Sequence, residues 1–345
     1  MGEGRTRRYR HVAEHRLVVT QTPLRVSFAG GGSDLPAFYE TDEGTVFSTA
    51  IDKYVYVTVK RHGAVFDEKV RLNYSVSESV GEIDAIRNDI ARECLRLLGV
   101  EPPIYASVVS DIPESSGLGG SSSFAVGLLN ALHMFRGERV TAAKLADEAC
   151  RVEIDILGQP IGKQDQYAAA FGGLNLLRFR PSSDVALELV TRSVSAVHDL
   201  FERLLMLWTG HQRKSSSVLF EQRSRTDENR AHLSRMRDHA FDLQRLMRQP
   251  EVNFTQFGAT LATGWDLKRR LVSTLSNATI EAWYDLGMAA GAVGGKLCGA
   301  GGGGFLLFVA EPDDHPAVLS ALGELMSVPI RHEAHGSRVL LAQLD

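Results

Sequence analysis

Cysteine is scarce in this chain: Cys94, Cys150 and Cys298 are the only three, far apart and without a C-x-x-C pair. An odd, scattered set makes no disulfide framework and lacks zinc-site spacing, and it fits a reducing, cytoplasmic setting. Long apolar runs are missing too; no window approaches the roughly 18 consecutive apolar residues of a membrane span. The basic N-terminal segment MGEGRTRRYRHVAEHR has no apolar stretch behind it, so it does not read as a secretory signal. Residues 1–19 are expected to be a flexible basic arm. Neither sign of charge dominates: 38 Lys and Arg face 42 Asp and Glu, a formal net charge of −4. That removes the usual electrostatic argument for a nucleic-acid or acidic-membrane partner. No solenoid-type repeat is visible.

What is present is a soluble-globular composition, 44% hydrophobic and 23% charged over 345 residues, long enough for two domains without metal or disulfide staples. The first half alternates like strands over residues 17–29, with Leu24, Val26 and Phe28 on one side. Residues 45–60 and 65–74 read as a hairpin around Arg61–Ala64. A helix over 84–98 is expected to stop at Gly99, and another over 142–157 to start from a Thr141 cap. Strands are expected at 104–110, 174–179 and 185–190, and a helix at 121–135. The second half reads as a strand at 204–208, helices over 215–248, 253–272 and 278–291, a strand at 305–309, a helix near 315–326 and two terminal strands. The mixture predicts an α+β fold with an N-terminal domain over 20–195 and a C-terminal domain over 196–345.

Two glycine-rich loops carry the chemistry. In the first, residues 111–123 (DIPESSGLGGSSS) join a strand to a helix. Gly117, Gly119 and Gly120 let a ligand approach the backbone, and Ser121, Ser122 and Ser123 open the helix. The free N–H groups there form an anion site, and serine hydroxyls can ligate a phosphate-held Mg²⁺. The loop has no Gly-Lys-Ser/Thr, the third glycine of a dinucleotide fingerprint falls on Ser122, and G-x-S-x-G is absent. In the second loop, residues 296–305 (KLCGAGGGGF) hold five glycines within six positions, a composition that only a tight fold around a ligand or another backbone justifies.

Three charged positions complete the pattern. Asp165, where a loop becomes a small-residue helix, reads either as a cap or as the group that orients or deprotonates an attacking hydroxyl. Glu153 lies at the edge of the apolar face made by Leu145, Ala149, Val152 and Ile156, so it needs a cation or hydrogen bonds; magnesium and an arginine both satisfy that. Arg25 sits mid-strand, and Asp34 follows three glycines.

Together these segments resemble the GHMP kinases (galacto-, homoserine, mevalonate and phosphomevalonate kinases), whose three motifs match Pro23–Asp34, Pro113–Ser123 and Lys296–Gly304 in order. The resemblance covers roughly residues 20–345 and implies a two-domain fold, ribosomal-protein-S5-like then ferredoxin-like, using ATP and Mg²⁺. Carried over by residue, Pro113, Gly117, Leu118, Gly119, Gly120, Ser121, Ser122 and Ser123 would hold the ATP phosphates. Ser121 and Glu153 match the Mg²⁺ ligands, Asp165 the catalytic aspartate, and Arg25 the basic residue that pairs with it. Gly31, Gly32, Ser33 and Asp34 would meet the sugar, with Gly301, Gly302 and Gly303 walling the site. Residues 29–39 (AGGGSDLPAFY) depart from galactokinases and look like the D-glycero-D-manno-heptose 7-phosphate kinases, with fucokinases as the alternative and a non-catalytic sugar-binding regulator on the same fold as a remote one. A phosphorylated sugar as small-molecule partner needs cations, for which Arg213, Lys214 and Lys268 are candidates. Lys163 matches no pattern.

Overall fold

The computed structural model describes residues 15–63, 65–190, 194–212, 220–221, 224–271, 276–299 and 301–344. Most of the expected basic arm therefore lies outside the described residues, as do Arg213 and Lys214. The alternating segment forms β1 (His15–Ala29), with Leu24, Val26 and Phe28 buried. It pairs antiparallel with β2 (Gly44–Arg61), whose first half continues onto β6 (Leu174–Phe179) and whose second half continues onto β5 (Ile104–Ser110). Beyond β5 lie β3 (Val70–Asn73) and β4 (Ser77–Val80), and β7 (Val185–Leu189) flanks β6.

The predicted hairpin between residues 45–60 and 65–74 does not form. β5 takes the place beside β2, and β3 runs parallel to β5 on its far side. The turn signal around Gly63 says that the chain reverses, but not which strand becomes the neighbour. The backbone N–H of His62 already donates to Pro103 O at 3.3 Å, on the segment leading into β5.

Local signals set the helix ends. After the one-turn α1 (Pro36–Tyr39) comes α2 (Asp89–Leu98), where the Asn88 side chain accepts from Ala91 N and Gly99 closes the helix at φ 60°, a left-handed conformation that glycine adopts without strain. The buried α3 (Gly120–Phe135) packs across β1 and β2, and Gly127 lies so close to Thr22 that an added Cβ would stand 2.7 Å from its hydroxyl. Thr141 caps α4 (Ala142–Cys150) as expected, but the helix does not continue as α to residue 157: Arg151–Ile156 is a π-helical turn. The short α5 (Gln164–Phe171) and α6 (Val194–Phe201) follow.

The second half builds a four-stranded antiparallel sheet in the order β11 (Met326–Ser327), β8 (Leu204–Trp208), β10 (Phe305–Val309), β9 (Gly294–Leu297). The strand β9 was not anticipated, because its Gly-Gly-Lys-Leu carries almost no strand propensity. Around this sheet lie α7 (Arg230–Met247), α8 (Phe254–Leu271), α9 (Ala278–Ala289) and α10 (His315–Ala321). The expected helix over 215–248 is continuous among the described residues only over α7. Phe38 from the first half is buried in the second core with Trp265, Leu297 and Phe308. The last strand, β12 (Arg338–Leu344), returns to pair with β1, so the segment expected as the C-terminal domain also completes the first sheet. Among the described residues no helix is long and apolar enough to cross a membrane.

Backbone contact between α8 and β9 sets the position of α8: a Cβ on Gly294 would stand 1.8 Å from Gly258 O. Nothing flexible lies there to yield. Gly294→Ala is expected to destabilise the protein by about 1–3 kcal/mol or more through overpacking, read as a lower urea midpoint. An unchanged midpoint would show that α8 shifts freely.

Candidate active site

The two glycine-rich loops meet backbone to backbone. Gly117 has φ 83°, and a Cβ on it would lie 2.6 Å from Cys298 O. A Cβ on Gly299 would lie 2.3 Å from Gly117 Cα, and one on Gly304 2.3 Å from Ser116 O. The glycine run after Lys296 is therefore packed against the first loop, and its composition is what that approach requires. Beside this contact opens a cavity of about 270 Å³, lined among others by Arg25, Gly31, Gly32, Asp34, Gly117, Gly119, Gly120, Ser121, Ser122, Glu153, Asp165, Gly301 and Gly303.

Arg25 organises one wall. Its Nε and Nη2 donate to Asp165 Oδ1 and Oδ2, both at 2.7 Å, and its Nη1 donates to Gly117 O at 2.7 Å. One buried guanidinium thus orients the carboxylate and the first loop together. Asp165 is in the first turn of α5 but is not its cap, a position held by Lys163.

Glu153 is fully buried. Among the described residues neither an arginine nor a lysine pairs with it. Ser121 Oγ donates to Oε1 at 2.6 Å, and Gln166 Nε2 donates to Oε2 at 2.7 Å. Burial pushes its carboxyl above the ordinary carboxylate range, while bonds from Ser121, Ser122 and Gln166 act against that. The π-helical turn explains the depth: Ile156, expected on the buried face, is 44% exposed, and Glu153 faces inward instead. The Ser121 hydroxyl and the Glu153 carboxylate converge at the cavity wall. That donor pair suits a hard divalent cation whose remaining ligands are phosphate oxygens and water. Among the described residues no group of three His, Cys, Asp or Glu could hold a metal.

Asp34 accepts from Gly32 N at 2.8 Å and Gln164 N at 3.4 Å, and burial raises its pKa. Ser33 departs from expectation. Its buried hydroxyl donates to Gly30 O and Thr45 O and accepts from Thr45 N, so it locks the loop rather than facing the cavity. Ser123 likewise donates to Pro23 O at 2.8 Å and is fully buried. Pro113 is exposed and lies outside the cavity lining, as do Gly302 and the fully buried Leu118, whose carbonyl accepts from Arg25 N. Lys163 donates to Ser183 O at 3.0 Å and lies over the Tyr39 ring, away from the cavity.

Known proteins match this chain over much of its length. The GHMP kinases N terminal domain matches residues 85–173, and the GHMP kinases C terminal domain matches residues 250–328. A D-glycero-alpha-D-manno-heptose 7-phosphate kinase of Campylobacter jejuni is 30% identical over 89% of this chain and 93% of its own. The chain belongs to the GHMP kinase family. As a GHMP kinase it is a phosphotransferase with an alcohol group as acceptor. An L-fucokinase/L-fucose-1-P guanylyltransferase of Bacteroides fragilis is 26% identical over 87% of this chain, which spans 35% of that longer protein. A solved D-glycero-D-manno-heptose 1-phosphate kinase from Bacteroides thetaiotaomicron superposes with a TM-score of 0.77 at 24% identity, covering 94% of this chain and 99% of that one. At that identity it supports the fold.

Several cavity residues of this GHMP kinase were not singled out by sequence: Ser27, Gln164, Trp265, His239 and, as a site residue, Lys296. Only Lys296 carried a signal, as the charged residue heading the glycine run. Gln166 was also missed, since one buried glutamine on a small-residue helix has no pattern. Gln166→Leu leaves Glu153 Oε2 without its donor and is expected to cost about 1–3 kcal/mol by urea unfolding. A stability equal to wild type would show that the bond is dispensable.

Proposed function

We propose that this enzyme transfers the γ-phosphoryl group of ATP to the anomeric hydroxyl of D-glycero-D-manno-heptose 7-phosphate, giving the 1,7-bisphosphate. The observation that carries the kinase chemistry is the two-pronged bond from the buried Arg25 guanidinium to the partly exposed Asp165, tied through Gly117 O to the glycine loop. It couples the group that would meet the acceptor hydroxyl to the loop that would hold the phosphates. The sugar is inferred from the Campylobacter jejuni relative and from residues 29–39.

Phosphoryl transfer asks for positioning and charge stabilisation more than for covalent chemistry. The N–H groups of residues 119–121, at the start of α3, would take the β- and γ-phosphate oxygens. Ser121 and Glu153 would hold Mg²⁺, which when bound neutralises charge on the phosphate oxygens. Asp34 would accept from sugar hydroxyls. The acceptor O1 forms the new bond to phosphorus as the bond from phosphorus to the ADP oxygen breaks. Asp165 orients O1 and receives or guides its proton, and Arg25 keeps both carboxylate oxygens in place.

Asp165→Asn is expected to lower kcat by about 100-fold or more while ADP affinity stays within about threefold. Wild-type turnover in that variant would remove Asp165 from the chemistry. Ser121→Ala is expected to shift the Mg²⁺ titration to higher concentration; an unmoved curve would reject Ser121 as a ligand. The acceptor is tested by Mg²⁺-dependent ADP release with heptose 7-phosphate, fucose, galactose and mannose in parallel. Turnover on heptose 7-phosphate alone is expected, and turnover on fucose alone would replace this reading with a fucokinase.

A further inference from the structure

The cavity contains more positive charge than the chemistry above uses. Lys268 comes from the last turn of α8 and Lys296 from β9, and both side chains line the cavity although less than a tenth of either residue is exposed. Lys296 donates to Ser27 O at 2.7 Å and Phe28 O at 3.1 Å, which leaves one N–H. Lys268 donates to Gly299 O, which leaves two. Among the described residues neither ammonium pairs with a carboxylate. Two buried lysines lining one cavity, with no carboxylate in hydrogen-bond reach among the described residues, are a costly arrangement for a fold to keep. Burial, and then Lys296, pull the Lys268 pKa down to about 7; burial pulls that of Lys296 to about 8. Both shifts are relieved by an anion.

Two further polar residues line the same cavity. His239 Nδ1 is buried with no hydrogen-bond partner among the described residues, and it lies beside Gly264, one helical turn before Lys268, where a Cβ would make an ordinary 3.6 Å contact with it. Trp265 also lines the cavity, and its buried indole N–H has no hydrogen-bond partner among the described residues. The cluster touches the strand end Ser27–Phe28, which leads directly into the Gly30–Asp34 loop. It therefore belongs to the acceptor side, away from Ser121 and Glu153.

We propose that Lys268 and Lys296, with His239 and Trp265 beside them, form the subsite for the phosphomonoester that the acceptor already carries. This rests on the sugar-phosphate reading and adds how the enzyme distinguishes such a sugar from its unphosphorylated counterpart. The doubly charged ester supplies the missing counter-ion and accepts the spare N–H groups, while Asp34 and the Arg25–Asp165 pair remain for the hydroxyls.

The test is Lys268→Met, which keeps length and burial but removes the charge. We expect the ratio of kcat/KM for heptose 7-phosphate to that for unphosphorylated heptose to fall by about 30-fold, mainly through KM for the phosphorylated sugar. The melting temperature should be equal or higher, because an unpaired buried charge is gone. An unchanged ratio would overturn the subsite. A wild-type enzyme that acts only on unphosphorylated sugars would instead overturn the heptose 7-phosphate reading. The subsite is then decided separately: with ADP and Mg²⁺ saturating, inorganic phosphate should raise the melting temperature of the wild type and not of Lys268→Met. Equal protection of both would reject these lysines as an anion site.

Discussion

Everything at the cavity depends on two stretches of backbone lying in contact where side chains would normally keep them apart. Gly117 and Gly299 face each other with no room for a Cβ on either, and Gly304 repeats the approach against Ser116. Bare backbone here does two things. It closes the gap between the halves of the molecule, and it leaves the amides at the start of α3 free to face a ligand. Arg25 reinforces the same point from below, since one guanidinium bonds both Gly117 O and Asp165. Lys296 adds a second tie, from β9 to the end of β1.

The charges are sorted by where they are held. Glu153, bonded to the serine that opens α3, is buried and, among the described residues, satisfied by hydroxyl and amide donors rather than by a cation. A neutral donor set leaves its charge uncompensated, and so available to a cation that arrives with its own anionic ligand. Lys268 of α8 and Lys296 of β9 show the reverse: buried, and among the described residues bonded only to carbonyl oxygens, they keep N–H groups for an anion. Between these regions the Arg25–Asp165 pair is internally balanced, which suits a group that must be held still rather than neutralised by a ligand.

Much of this was legible from residue patterns whose meaning is local. The alternation of β1, the glycine that ends α2 and the threonine that caps α4 act within a few residues, and the structure has them where the pattern put them. The ordered glycine motifs, with Arg25, Asp34, Glu153 and Asp165, named most of one cavity wall. Ser33, Ser123 and Leu118 share those motifs but turn away from the cavity, because a motif records which residues recur and not which atoms face the ligand. The hairpin was misread because pairing β3 with β5 instead of β2 is a non-local choice. The depth of Glu153 was underestimated because a 100° helical period does not apply across a π-helical turn.

By itself the sequence determined most of the element types, the order of the glycine loops and the family chemistry they imply, because helix ends, strand alternation and backbone freedom are properties of neighbouring residues. The tertiary structure alone decided that β12 returns to β1, that the second glycine run packs on the first, and that Lys268 and Lys296 line the same cavity as Asp34. These depend on contacts between segments far apart in the chain, whose energies come from burial and close approach and leave no periodic trace in either segment.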